Sequence, residues 1–61
     1  MIWHYSTETN IDETQPLLII INTGDIKKAR FIKHENLFRC SDDSVAFPED
    51  IIKFLYIKDL I

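Results

Sequence analysis

The residues able to do chemistry are few and poorly spaced for it. His34 and Cys40 lie six positions apart and His4 is far from both, so neither C-x-x-C nor H-x-x-x-H spacing exists for zinc. Asp42-Asp43 and Glu49-Asp50 are paired acids, but the alternating acid pattern of a calcium loop is missing. They read as solvated turn residues. A nucleophile needs a base within hydrogen-bond reach and a third group to orient it. Cys40 with His34 is the one pair that could be tried, and the plainer reading is a turn histidine beside a half-buried thiol. Gly24 is the sole glycine, which excludes a phosphate-cradling glycine loop. The expectation is a protein that is not an enzyme and holds neither cofactor nor metal.

Charge is more informative. The net charge of −3 hides an ordered pattern. Residues 1–25 carry four acids and no Lys or Arg. Residues 26–40 carry five bases, Lys27, Lys28, Arg30, Lys33 and Arg39, against Glu35 alone, and residues 41–61 return to five acids against Lys53 and Lys58. One reading pairs acidic and basic strands across a sheet. The other presents a basic face to an acidic partner. Phe31 and Phe38, interleaved with the bases, also suit a nucleic-acid surface with stacking aromatics. The negative total charge and the need of a thin core for both phenylalanines count against that use.

The elements that must carry these residues are short and β-rich. Leu17 to Ile21 is apolar without alternation, bounded by Pro16 and by Asn22-Thr23-Gly24-Asp25, and holds three successive isoleucines; it reads as a central strand covered on both faces. Gly24 supplies the left-handed residue that follows a type I turn in a hairpin. The return strand, 26–32, puts Ala29 and Phe31 toward a core and Lys28 and Arg30 toward solvent. Lys33-His34-Glu35-Asn36 is a second turn and Leu37-Phe38-Arg39-Cys40 the next strand. Ser41-Asp42-Asp43-Ser44 is a third turn, with Val45-Ala46-Phe47 a brief extended piece after it. Ile2-Trp3-His4-Tyr5 reads as a first strand, and Ser6 to Gln15 as a polar loop with at most one helical turn around Asp12.

Two readings stay open for 48–61. Pro48-Glu49-Asp50 resembles a helix start, with proline first and acids favoured by the dipole. The isoleucines, Phe54 and Tyr56 favour a strand over 52–57, with Ile52, Phe54 and Tyr56 on one face. The fold class expected is mainly β: one domain over 1–61, a small antiparallel meander of about four or five strands with at most one short helix.

Sixty-one residues bury a thin core, about 60% of the surface that the unfolded chain exposes. The lone Cys40 cannot form an internal disulfide and suits a reducing compartment. The apolar run Leu17–Ile21 is far short of the roughly 20 residues of a membrane span. Met1-Ile2-Trp3-His4-Tyr5 lacks the basic-then-apolar order of a signal peptide, so the expected location is cytoplasmic, with no membrane partner. The apolar ends, Met1-Ile2-Trp3 and Asp59-Leu60-Ile61, read as segments buried within the domain or against another subunit. Trp3, Tyr5 and Tyr56 are residue types favoured at interfaces. The expected activity is therefore interaction: a protein partner or self-association, a dimer included, ranks above nucleic acid held by the basic segment 27–39. The candidate partner-binding residues are Lys27, Lys28, Arg30, Lys33, Arg39 and Tyr56.

The order of features resembles the small β-meander domains of unknown function found in phage and prophage proteins. Their pattern is an N-terminal Trp-x-x-Val, a central Val-Leu-Val strand and a closing Thr-His-Trp-Met-Pro-Leu-Pro. Trp3, Leu18 to Ile20, Ala29 and Ile52-Lys53-Phe54-Leu55-Tyr56 occupy those places here. Phe54 replaces the terminal tryptophan, and the closing prolines are missing. The resemblance carries no catalytic residues. It implies an accessory protein that binds and blocks a host protein, defence systems included.

Overall fold

A computed structural model describes residues 3–5 and 10–60. Ile2 of the expected first strand, Ser6 to Thr9 of the polar loop, and the terminal Met1 and Ile61 lie outside the described residues. Within them the chain forms β1 (His4–Tyr5), β2 (Leu17–Ile21), β3 (Ile26–Ile32), β4 (Leu37–Cys40), β5 (Val45–Ala46) and β6 (Ile51–Tyr56), with 3-10 turns at Pro48–Asp50 and Ile57–Leu60. All pair antiparallel in one sheet of order β1-β6-β2-β3-β4-β5. No helix among the described residues is long and apolar enough to cross a membrane.

Three turns of one design build the meander β2 to β5. In each, an N–H bonds back to the carbonyl three residues earlier: Gly24 to Ile21 at 2.9 Å, Asn36 to Lys33 at 3.2 Å, and Asp43 to Cys40 at 3.1 Å. The donors carry positive φ of 94°, 54° and 68°. Gly, Asn and Asp are the residues that enter this region most readily, the last two because their short polar side chains hydrogen-bond locally.

The sheet is rolled, and chain length requires it. In a flat sheet β5 and β6 would stand four spacings apart, about 19 Å. Phe47 and one 3-10 turn bridge them, and that link reaches roughly 14 Å, since a 3-10 residue advances ~2 Å and an extended one ~3.3 Å. Two observations agree with the curl. The rings of Phe38 on β4 and Phe54 on β6 are 6.1 Å apart across two intervening strands. The Asn22 N–H donates to Asp50 O at 2.8 Å, fastening the β2–β3 turn to the 3-10 turn.

The hollow of the roll holds the core: Leu17, Ile19, Ala29, Phe31, Phe38, Cys40, Ala46, Ile51 and Phe54, with Ile11, Ile21 and Tyr56 packed at its margin. Leu17, Ile19, Phe38 and Phe54 have no exposed surface. β2 is interior to the sheet as its composition requires. Its outward residues Leu18 and Ile20, however, are half-buried rather than covered.

The end of the chain takes the strand reading, and of the helical alternative only one turn at its expected start is formed. Pro48–Asp50 is a single 3-10 turn, and Ile51–Tyr56 then pairs with β2. The expected alternation of Ile52, Phe54 and Tyr56 on one face is interrupted. The register shifts between Ile20 and Ile21, so Ile51 and Phe54 both enter the core while Ile52 stays 49% exposed. One extra residue in one strand reverses its facing beyond that point.

Candidate functional site

The hairpin registers bring three of the expected basic residues together. Period-two order sends Ala29 and Phe31 inward, so Lys28, Arg30 and Ile32 emerge on the outward face of β3. The four-residue turn 33–36 sets Ile32 opposite Leu37 and therefore Arg30 directly opposite Arg39. The β2–β3 register, Leu17 opposite Ala29, carries Pro16 to the position beside Arg30. Ser41 donates its N–H to Lys28 O at 2.9 Å and closes the other end. Pro16, Lys28, Arg30, Ile32, Arg39 and Ser41 thus surround an open concavity of about 310 Å³.

Its electrostatics are one-sided. Directly opposed residues of an antiparallel pair have Cβ atoms about 4.5–5.5 Å apart, and like charges there repel. Among the described residues no carboxylate pairs with Lys28, Arg30 or Arg39. All three are exposed. The arrangement offers two guanidinium forks and an ammonium to an anion, beside an apolar wall of Ile32 and Pro16.

The other candidate residues are elsewhere. Lys27 leaves β3 on the inward side, where its ammonium lies 3.1 Å from Asp42 Oδ2 and 3.2 Å from Ser44 Oγ. Asp42 also accepts the Ser44 N–H at 3.1 Å and the Ser44 hydroxyl. Bonding from the Ser44 hydroxyl, then from its N–H and from Lys27, holds the Asp42 carboxyl down to about 2. The same contact, with Asp42 first among its causes, raises Lys27. Lys33 is exposed in the turn after β3. Tyr56 sits at the core margin on the opposite face, edge-on to Phe54, with its hydroxyl accepting the Asp12 N–H at 2.9 Å. That bond ties down the loop in which Asp12 accepts from the Thr14 hydroxyl and N–H, contacts that lower its pKa.

Phe31 and Phe38 pack against each other inside the roll with their rings tilted, centroids 5.0 Å apart, and are 8% and 0% exposed. Neither ring is presented to a base. Cys40 is buried opposite Ala29, whereas His34 is exposed in the 33–36 turn beside Glu35. Among the described residues no three His, Cys, Asp or Glu side chains converge.

Sequence reasoning named the cations of the concavity but not its apolar side. Pro16, Ile32 and Ser41 become neighbours of Arg30 and Lys28 only through register. The signal was the length of each turn, since it fixes which residues stand opposite. Also unanticipated is a row across the outward face, Tyr5–Lys53–Ile20–Ile26, set by successive pairings, in which Tyr5 is 66% and Ile26 63% exposed. Lys53 there lies 4.8 Å from the Trp3 ring centre. Comparison of the chain with protein-family models, with curated proteins and with solved structures finds no match.

Proposed function

We propose that this chain is a non-enzymatic interaction module that docks an acidic protein on the outward face of β3 and β4. One observation carries the reading: Lys28, Arg30 and Arg39 converge on a 310 Å³ concavity with no carboxylate partner among the described residues, in a chain whose net charge is −3. Lys27, on the other side of the same strand, has its carboxylate, so the chain satisfies one cation of β3 and leaves the outward ones for a partner. The adjoining row of Tyr5, Ile20 and Ile26 supplies the apolar and aromatic area that a protein interface uses beside its charged rim. The resemblance to phage β-meander domains extends the reading to an accessory protein that works in the cytoplasm by occupying a host surface. Nucleic acid is the weaker candidate for the same face, because both phenylalanines of the basic segment are spent on the core.

The test is affinity capture from a nuclease-treated lysate with the wild-type chain and with R30Q/R39Q, both checked for folding by circular dichroism. An acidic protein retained by the wild type at low salt, released as salt rises, and absent from the variant supports the reading. Equal retention by the two chains removes this face from the interaction.

A further inference from the structure

We infer that the concavity reads an extended peptide with the alternating pattern acid-x-acid-x-apolar, and that Arg30 and Arg39 together hold one of the two acids. The inference rests on the docking reading above and names the chemistry of the docked segment.

Three residues of β3 set the pattern. Lys28, Arg30 and Ile32 stand at alternate positions on one face, each about 6.6–6.8 Å from the next along the strand. An extended peptide presents its own side chains at the same interval, positions i, i+2 and i+4 on one face. Laid along β3, it matches one anion to Lys28, one to Arg30 and one apolar side chain to Ile32. The wall of Ile32 and Pro16 receives the apolar group, and the intervening residues point to solvent and are unconstrained.

The central anion has the stronger site. Arg30 and Arg39 are opposed across the β3–β4 pair, so both forks reach a carboxylate placed between them, and the anion removes the repulsion that their register imposes. Lys28 faces Leu18 on one side and the Ser41 backbone on the other, and meets its anion as a single charge. Loss of the central acid therefore weakens binding more than loss of the outer one. A continuous polyanion is the poorer fit, because the lining of the concavity turns apolar at Ile32 and Pro16 and includes no aromatic ring.

The experiment is an amide NMR titration of the ¹⁵N-labelled chain with capped peptides. Glu-Ser-Glu-Ser-Leu and its reversed sequence are compared with Glu-Glu-Ser-Ser-Leu, which keeps composition and charge but breaks the alternation, and with Gln-Ser-Gln-Ser-Leu. One alternating peptide should shift the amides of Lys28, Arg30, Ile32 and Arg39. It should bind about tenfold more tightly than the adjacent-acid peptide and more tightly still than the glutamine form. R39Q should weaken it by about tenfold, and K28Q by less. Equal affinity for the alternating and adjacent-acid peptides overturns the inference, as does an R39Q chain that binds unchanged. Tighter binding of decathymidylate through the same amides reassigns the face to nucleic acid. Absence of peptide shifts alongside a captured partner lost from R30Q/R39Q sinks the alternating pattern and leaves the docking reading standing.

Discussion

On the inward side of β3 and β4, Ala29, Phe31, Phe38 and Cys40 close against one another and against Phe54. On the outward side of the same two strands, Arg30 faces Arg39, and Lys28 has no carboxylate partner among the described residues. The backbone is shared, so the two faces differ only in their side chains. The inward set lowers the free energy of the isolated chain. The outward pair raises it, since like charges directly opposite each other destabilise a sheet. A residue pair that costs stability and sits on a concavity breaks a local rule of folding, and the docking proposed above would account for it.

The largest test of that contrast is Phe38→Ala. The ring is fully buried and touches Phe31 and Phe54, so its removal should cost about 3–5 kcal/mol. A domain this small has little more than that in hand, and chemical denaturation should show the variant largely unfolded in water. Arg39→Ala, one residue along the same strand, should lose nothing measurable in the same titration. If both substitutions were equally damaging, the outward face would belong to the fold and not to a partner.

The turn that delivers Asp42 to Lys27 gives the next largest effect. Asp43 holds a φ of 68°, a region in which an L side chain is strained and glycine is not. Asp43→Gly should raise the denaturation midpoint by an amount worth about 0.5–1 kcal/mol. The inward salt bridge should survive it, because Asp42 and Ser44 keep their places.

Much of this contrast was legible from the residues, and the rest failed for identifiable reasons. Polar turn residues located all three turns, 22–25, 33–36 and 41–44, and the positive φ expected of Gly24 is there; that Asn36 and Asp43 share it was not anticipated. Period-two order sorted Ala29 and Phe31 from Lys28 and Arg30. What the pattern did not yield was pairing across strands. Alternation puts Lys27 on the face of Ala29 and Phe31, but nothing local to it shows that it meets Asp42 from the turn after β4. The bulge opposite Ile20 and Ile21 was equally hidden, because Ile51 and Ile52 are chemically alike and only the roll of the sheet decides which enters the core. Tyr56, expected at an interface from its residue type, carries no local sign of its contact within the chain. Its partner is the Asp12 N–H, 44 residues away.

Arg39→Glu turns the outward contrast into a trade. The repulsive pair becomes an attractive one, and an exposed cross-strand ion pair should stabilise the domain by about 0.2–1 kcal/mol over the wild type. The same change puts into the concavity the charge proposed for its ligand, so binding of an acidic peptide should disappear. Thermal melting and the peptide titration are thus expected to move in opposite directions in one variant. Parallel losses in both would show that the arginine pair supports the fold.

The smallest effect concerns the inward cation. Asp42 is held down to about 2 from an ordinary 3.8 by Ser44 and Lys27. A depressed carboxyl contributes stability that is fully present above its unfolded value and is lost as pH falls through its folded one. The window is therefore about pH 4 to pH 2, with Asp12, lowered by Thr14, adding to the same limb. Asp42→Asn keeps an acceptor for Ser44 but removes the charge, so its stability should fall less steeply over that interval than the wild type's. Arg39→Gln should leave the slope unchanged, because no carboxylate among the described residues answers to Arg39. Acid titration followed by Trp3 fluorescence separates the two, and a flattened limb in Arg39→Gln would mean that the outward face has a carboxylate of its own after all.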